Sequence, residues 1–188
     1  MSEPCHRLHT LPARFYSDES GAPFQTCCDC HEPLETCEDG YVVQKAYAND
    51  ETIMELAICS DCHTNLQSSY SKESRDRIWN FYLDHSDLAG RLKKFYPLPV
   101  GNPEFWINAC LTCGSLRNSV PEYIVAAQVF EGDLVYGELP LMICLKCMEN
   151  IVELLSEESR DVYDRWLERV LPQAPETSND KPRVRIFM

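Results

Sequence analysis

The sequence predicts an α+β protein built from two tandem copies of one small unit. Three observations carry this reading. Eight of the eleven cysteines fall into four C-x2-C pairs, an ordered series of fragments recurs at a nearly constant offset, and each copy runs through strand-forming and helix-forming stretches in the same order.

The repeat is clearest at Ser71-Lys72-Glu73-Ser74-Arg75-Asp76, which returns as Ser156-Glu157-Glu158-Ser159-Arg160-Asp161 at an offset of 85. The same offset carries Cys59 and Cys62 onto Cys144 and Cys147. Cys27 and Cys30 map onto Cys110 and Cys113 at 83, and Tyr41-Val42-Val43 onto Tyr123-Ile124-Val125 at 82. Offsets that change only by small steps are those of a duplication with a few residues inserted in loops of the second copy. The expected organisation is a flexible N-terminal segment over residues 1–13, module 1 over 14–85, a linker over 86–93, module 2 over 94–171 and a mobile C-terminal tail over 172–188, where proline and polar residues accumulate.

Within module 1, Tyr41 to Tyr47 and Ile53 to Ile58 are rich in strand formers, and Asn49-Asp50 between them is a turn signal. Module 2 repeats the hairpin as Tyr123 to Phe130, a turn at Glu131-Gly132-Asp133, and Leu134 to Ile143, with Pro140 suited to a strand end or edge. A helix follows the second cysteine pair of each copy, marked by Leu66 with Tyr70 and Ile151 with Leu155. A second helix begins after the N-cap residues Ser71 and Ser156, with acidic residues in its first turn. Its apolar stripe is Ile78, Phe81 and Tyr82 in one copy and Tyr163, Trp166 and Leu167 in the other, with Trp79 and Val170 added. The modules are expected to pack through these second helices.

Two C-x2-C pairs let four thiolates converge on one ion. Cys27, Cys30, Cys59 and Cys62 form one candidate metal site, and Cys110, Cys113, Cys144 and Cys147 the other. The intervals are alike, 29 positions from Cys30 to Cys59 and 31 from Cys113 to Cys144. An order of knuckle, hairpin, then cysteines leading into a helix resembles the treble-clef zinc fold over about Cys27 to Tyr70 and Cys110 to Leu155. That resemblance is architectural and points to no particular family. Cys113 is followed by Gly114, as is common in a zinc knuckle, whereas Cys30 is followed by His31. The expected cofactor is zinc, two ions per chain, with iron as the competing metal for a tetrahedral sulfur set. The helix N-termini are expected to lower the pKa of Cys62 and Cys147. Cys5, Cys28 and Cys37 have no counterpart in the repeat and are read as free thiols. Cys28, His31 and His63 are the residues that would replace an assigned ligand.

Composition narrows the function. The net charge is −13, with −7 over residues 1–100 and −6 over 101–188, a field that opposes a polyanionic partner. The short basic clusters Arg75 with Arg77, Arg91-Lys93-Lys94 and Lys181-Arg183-Arg185 read as solvated surface. No run approaches the ~18–20 apolar residues of a membrane span, and the first ten residues lack a signal peptide's apolar core, so a cytoplasmic location is expected. Paired cysteines in a reducing compartment favour metal over disulfides.

Catalysis finds no support. Four thiolates leave no open coordination position, no P-loop, dinucleotide motif or Ser-His-Asp signature is present, and all five histidines lie in the first half. The expected role is a non-enzymatic scaffold or adaptor that binds a protein partner. A nucleic-acid-associated regulator and a zinc/thiol redox switch, the latter prompted by Cys28 beside Cys27, are the alternatives. Trp79, Trp106, Tyr163 and Trp166 are read chiefly as core residues, and Cys5 with His6 and His9 as part of a polar tail rather than a third metal site. Val184, Ile186 and Phe187, alternating with arginine, form a candidate edge strand.

Overall fold

The computed structural model describes residues 7–87, 90, 91, 93 and 102–171. The expectations for Cys5, His6 and the tail from Pro172 onward lie outside these residues, and no described helix is long and apolar enough to cross a membrane.

Strand β1 (Arg7–Thr10) is followed by the first hairpin, β2 (Tyr41–Ala48) and β3 (Glu51–Cys59). Asn49 and Asp50 turn the corner with φ of 51° and 65°, the left-handed pair that matches strand twist in a two-residue hairpin. Helices α1 (Ser60–Ser68) and α2 (Lys72–His85) come next. Then follow β4 (Glu122–Phe130), β5 (Asp133–Tyr136), β6 (Leu141–Cys144), α3 (Leu145–Glu153) and α4 (Glu157–Val170).

The six strands among the described residues form one antiparallel sheet in the order β1-β5-β4-β2-β3, with β6 also on β4. The second hairpin departs from its expected form, because its return strand is broken. β5 pairs with Gln128 to Phe130, the chain loops out at Gly137 to Pro140, and β6 then pairs with Tyr123 to Ala126 along the same edge of β4. Pro140, with no N–H to give a ladder, stands just before β6. The other edge of β5 is taken by β1, so Arg7 to Thr10 is a paired strand where a flexible segment was expected, and Leu11 after it is buried.

The two halves meet across β2 and β4. Their register sets Val43 opposite Ala127 and Lys45 opposite Val125, with Gln44 opposite Ala126 at the centre. Moving either flanking pair by 82 positions reproduces the other, so the β2–β4 register is symmetric about Gln44 and Ala126. Successive residues Tyr41 to Ala46 and Tyr123 to Ala127 are buried, and since neighbours on a strand face opposite ways, both faces of the sheet centre are covered.

The second helices meet at their N-termini. Ser71 and Ser156 cap α2 and α4, each accepting from the N–H of the serine three residues on. The caps also cross: the Ser71 N–H donates to Ser159 Oγ and the Ser156 N–H to Ser74 Oγ, both at 2.8 Å. Two positive helix ends thus face each other, offset by Glu73, Glu157 and Glu158 in their first turns. The expected helix-to-helix packing holds at this serine cluster, while the longer seam between the halves is the β2–β4 ladder. Trp79 is 61% exposed and not part of an apolar face, because the inward stripe of α2 runs through Ser74, Ile78, Phe81 and Tyr82. Trp106, Tyr163 and Trp166 are buried.

Candidate metal centres

Each centre joins a knuckle to the start of a helix. In the first, the Cys27 N–H donates to Glu32 O and the His31 N–H to Cys27 O, closing a tight loop against β3 through Cys28 N–H to Ala57 O. In the second, Cys110 N–H to Ser115 O, Gly114 N–H to Cys110 O and Leu111 N–H to Met142 O form the same set of bonds. The loop demands a left-handed residue after its second cysteine. Gly114 meets this at φ 71°, and His31 adopts it at φ 63° in spite of its Cβ. Cys59 and Cys144 are the N-cap residues of α1 and α3, which places Cys62 and Cys147 in the first helical turn.

The sulfurs of Cys27, Cys30, Cys59 and Cys62 all lie within 4.8 Å of one another, as do those of Cys110, Cys113, Cys144 and Cys147. Both sets could hold a metal ion. Cys30 to Cys59 is 3.9 Å and Cys113 to Cys144 is 3.8 Å. A disulfide needs about 2.05 Å. A tetrahedron with metal–sulfur bonds of ~2.3 Å has edges of about 3.8 Å, and the spacing fits that figure. Backbone N–H groups support the sulfurs, with Asp29 and Cys59 donating to Cys27 Sγ and Cys144 donating to Cys110 Sγ, each at 3.4 Å.

The electrostatics explain why a cation suits these sites. The Cys28 thiol and the N–H groups of Cys59, Cys30 and Asp29 hold Cys27 down to about 3 against its burial. Burial opposes ionisation of Cys113, but hydrogen bonds with Ser115 hold it down to about 6. Burial then pushes Cys59 up to about 11 and raises Cys62, Cys144 and Cys147, with neighbouring sulfurs adding to the rise. The expected lowering at Cys62 and Cys147 is thereby reversed, since burial and nearby negative sulfur outweigh the helix N-terminus. Cys27 and Cys113 ionise readily while Cys59, Cys62, Cys144 and Cys147 resist, so a divalent ion would offset the cost of gathering thiolates in either cluster.

Cys28, His31 and His63 lie outside both four-sulfur sets. The hydrogen bond to Cys27, together with burial, pushes the Cys28 thiol up. His63 is part-buried, which lowers its pKa, and its Nε2 has no hydrogen-bond partner. Cys37 donates to Pro33 O at 3.6 Å. His9 stands on β1, its Nδ1 beside Thr10 O. The ten described cysteines are all free.

The second helices are exchanged between the centres. Trp166 and Arg169 of α4 lie beside Cys62 and Leu66 of α1, and both bond Asp29 inside the first knuckle. Phe81 and His85 of α2 lie beside Cys113, Cys144 and Cys147 of the second centre. Nothing in the sequence marked Asp29, because an acidic residue inside a C-x2-C loop reads as surface until its partner is placed. No protein-family model, no curated protein and no solved structure matches the chain.

Proposed function

We propose that the chain is a non-enzymatic zinc protein whose two structural four-cysteine sites, on two copies of a treble-clef-like unit, hold a scaffold that binds a protein partner. The observation that carries this is the gathering of four sulfurs within 4.8 Å of one another in each cluster, with one pair in each, Cys30–Cys59 and Cys113–Cys144, at 3.9 and 3.8 Å, near the edge of a zinc–sulfur tetrahedron. Four sulfurs fill such a tetrahedron and leave no position for water or substrate, which favours holding shape over catalysis. Zinc fits a closed thiolate set without redox demands, and iron is the competitor. The duplication is supported by the repeated knuckle bonds, the matched caps at Ser71 and Ser156, and the β2–β4 register centred on Gln44 and Ala126. The net charge of −13 favours protein over nucleic acid as the partner.

Metal analysis of purified protein tests the reading. Two zinc per chain are expected, falling to one in Cys62→Ser and one in Cys147→Ser. Full-length folded protein with no bound metal would refute it.

A further inference from the structure

We propose that the cleft between α2 and the second cysteine cluster is a docking groove for a peptide segment of a protein partner that pairs a bulky apolar side chain with Lys or Arg. This deepens the scaffold reading above and rests on it.

The argument begins with an asymmetry between related places. Over the first cluster, Trp166 is 3% exposed and is tied down, with Nε1 donating to Asp29 Oδ2 at 3.1 Å and Arg169 donating to Asp29 Oδ1 at 2.6 Å. At the repeat offsets, Trp166 becomes Phe81, Arg169 becomes Asp84 and Asp29 becomes Thr112. Both donors of that lock are therefore lost, since Phe81 has no N–H and the Asp84 carboxylate only accepts. Phe81 is only partly buried, and α2 buries Ser74 alone completely, whereas α4 buries Ser159, Tyr163 and Trp166. The cleft left beside the second cluster measures about 590 Å³, against about 330 Å³ beside the first.

The lining selects the occupant. Phe81, Val120, Pro121 and Leu145 supply apolar wall, which an aliphatic or aromatic side chain would cover. Glu122 and Glu149 also line the cleft, against Lys146 and the ring of His85. With zinc bound, four thiolates exceed one divalent cation by two negative charges, and Cys113, Cys144 and Cys147 form part of the wall. Anionic groups beside an apolar floor favour a cationic, apolar peptide and oppose a phosphate backbone.

The test uses the zinc-loaded, isotope-labelled full chain. The probe is the acetylated hexapeptide Arg-Leu-Arg-Phe-Arg-Leu, with Glu-Leu-Glu-Phe-Glu-Leu and decathymidylate as controls. The expected result is a set of amide shifts at Phe81, His85, Leu145, Lys146 and Glu149, with the arginine peptide binding at least tenfold tighter than the glutamate peptide. Glu149→Lys, a partly exposed position that need not disturb folding, should weaken binding at least tenfold, and Glu149→Gln less. Shifts confined to other surfaces, none at millimolar peptide, equal binding of the acidic peptide, or occupation of the cleft by decathymidylate would each overturn the proposal. Zinc content of the same sample separates the two failures. Two zinc without cleft shifts removes the groove alone, whereas absence of zinc removes the scaffold reading and the groove's anionic wall with it.

Discussion

Trp166 on α4 donates its indole N–H to Asp29, a residue inside the first cysteine knuckle, at 3.1 Å and across 137 positions of chain. The contact ties the second half of the sequence to the candidate metal centre of the first.

Asp29→Ala should therefore loosen α4 without emptying the first centre. Loss of the acceptor leaves the part-buried indole N–H unpaired, at about 1–2 kcal/mol. The Arg169 pair adds little, because that side chain is 62% exposed. Urea melts should show the loss, and hydrogen exchange should place faster opening at Tyr163 to Val170. An unchanged melt, or loss of zinc, would speak against the contact's assigned role.

Much of this was legible beforehand where the signal is local. The cysteine pairs, the Asn49-Asp50 turn and the serine caps rest on residues within a few positions of one another, and all appear in the fold. The β2–β4 ladder was not legible, since both strands read as halves of their own hairpins and no local pattern says which strand borders Tyr41 to Ala48. The helix exchange was hidden for the same reason, as the stripe on α2 shows which residues face inward but not which cluster they face. The strand at Arg7 to Thr10 escaped because four residues with one large aliphatic side chain lack a measurable period. Trp79 departs from the expected apolar face because adjacency misleads on a helix: it neighbours Ile78 in sequence but points about 100° away around the axis.

His31 sits at φ 63° in the place that glycine fills in the other knuckle. Its Cβ costs about 1–2 kcal/mol there, partly returned because glycine loses more chain entropy on folding. His31→Gly is expected to stabilise by about 0.5 kcal/mol, and Gly114→His to destabilise by a similar amount. Chemical melts of the zinc-loaded variants would check the opposite signs; a shift of the same sign in both would contradict the shared geometry.

Gly40 enters β2 at φ 71°, where an added Cβ would stand 2.2 Å from Val129 O on β4. Gly132 has φ 81° and open space around it. Gly40→Ala should cost at least about 2 kcal/mol, since backbone must move as well as strain. Gly132→Ala should cost about 1 kcal/mol. Equal thermal midpoints for the two variants would show that β4 does not press on Gly40.

Lys45 is 2% exposed, between Asp18 Oδ1 at 2.6 Å and Glu55 Oε2 at 3.0 Å. The hydrogen bond to Lys45 lowers the Asp18 pKa. Burial would raise that of Glu55, but the Asp18 N–H and Lys45 outweigh it and the net shift is downward. Both folded values lie below the unfolded carboxylate range of about 4. Their contribution is thus complete above that range and is lost as pH falls through the depressed folded values. Lys45→Met should cost about 1–3 kcal/mol at pH 7, because Glu55 loses its buried partner while both carboxylates keep some water. It should also flatten the loss of stability between about pH 5 and pH 3. A variant with the wild-type acid slope would show that the pair does not govern it.

The central claim is that each four-cysteine cluster closes around one zinc ion. Zinc K-edge absorption of the purified full chain addresses it directly. The account predicts about four sulfur neighbours per zinc at ~2.3 Å, with no nitrogen or oxygen bound to the metal. A fit that requires histidine nitrogen or water oxygen, or metal present at well under two equivalents in folded protein, would contradict it.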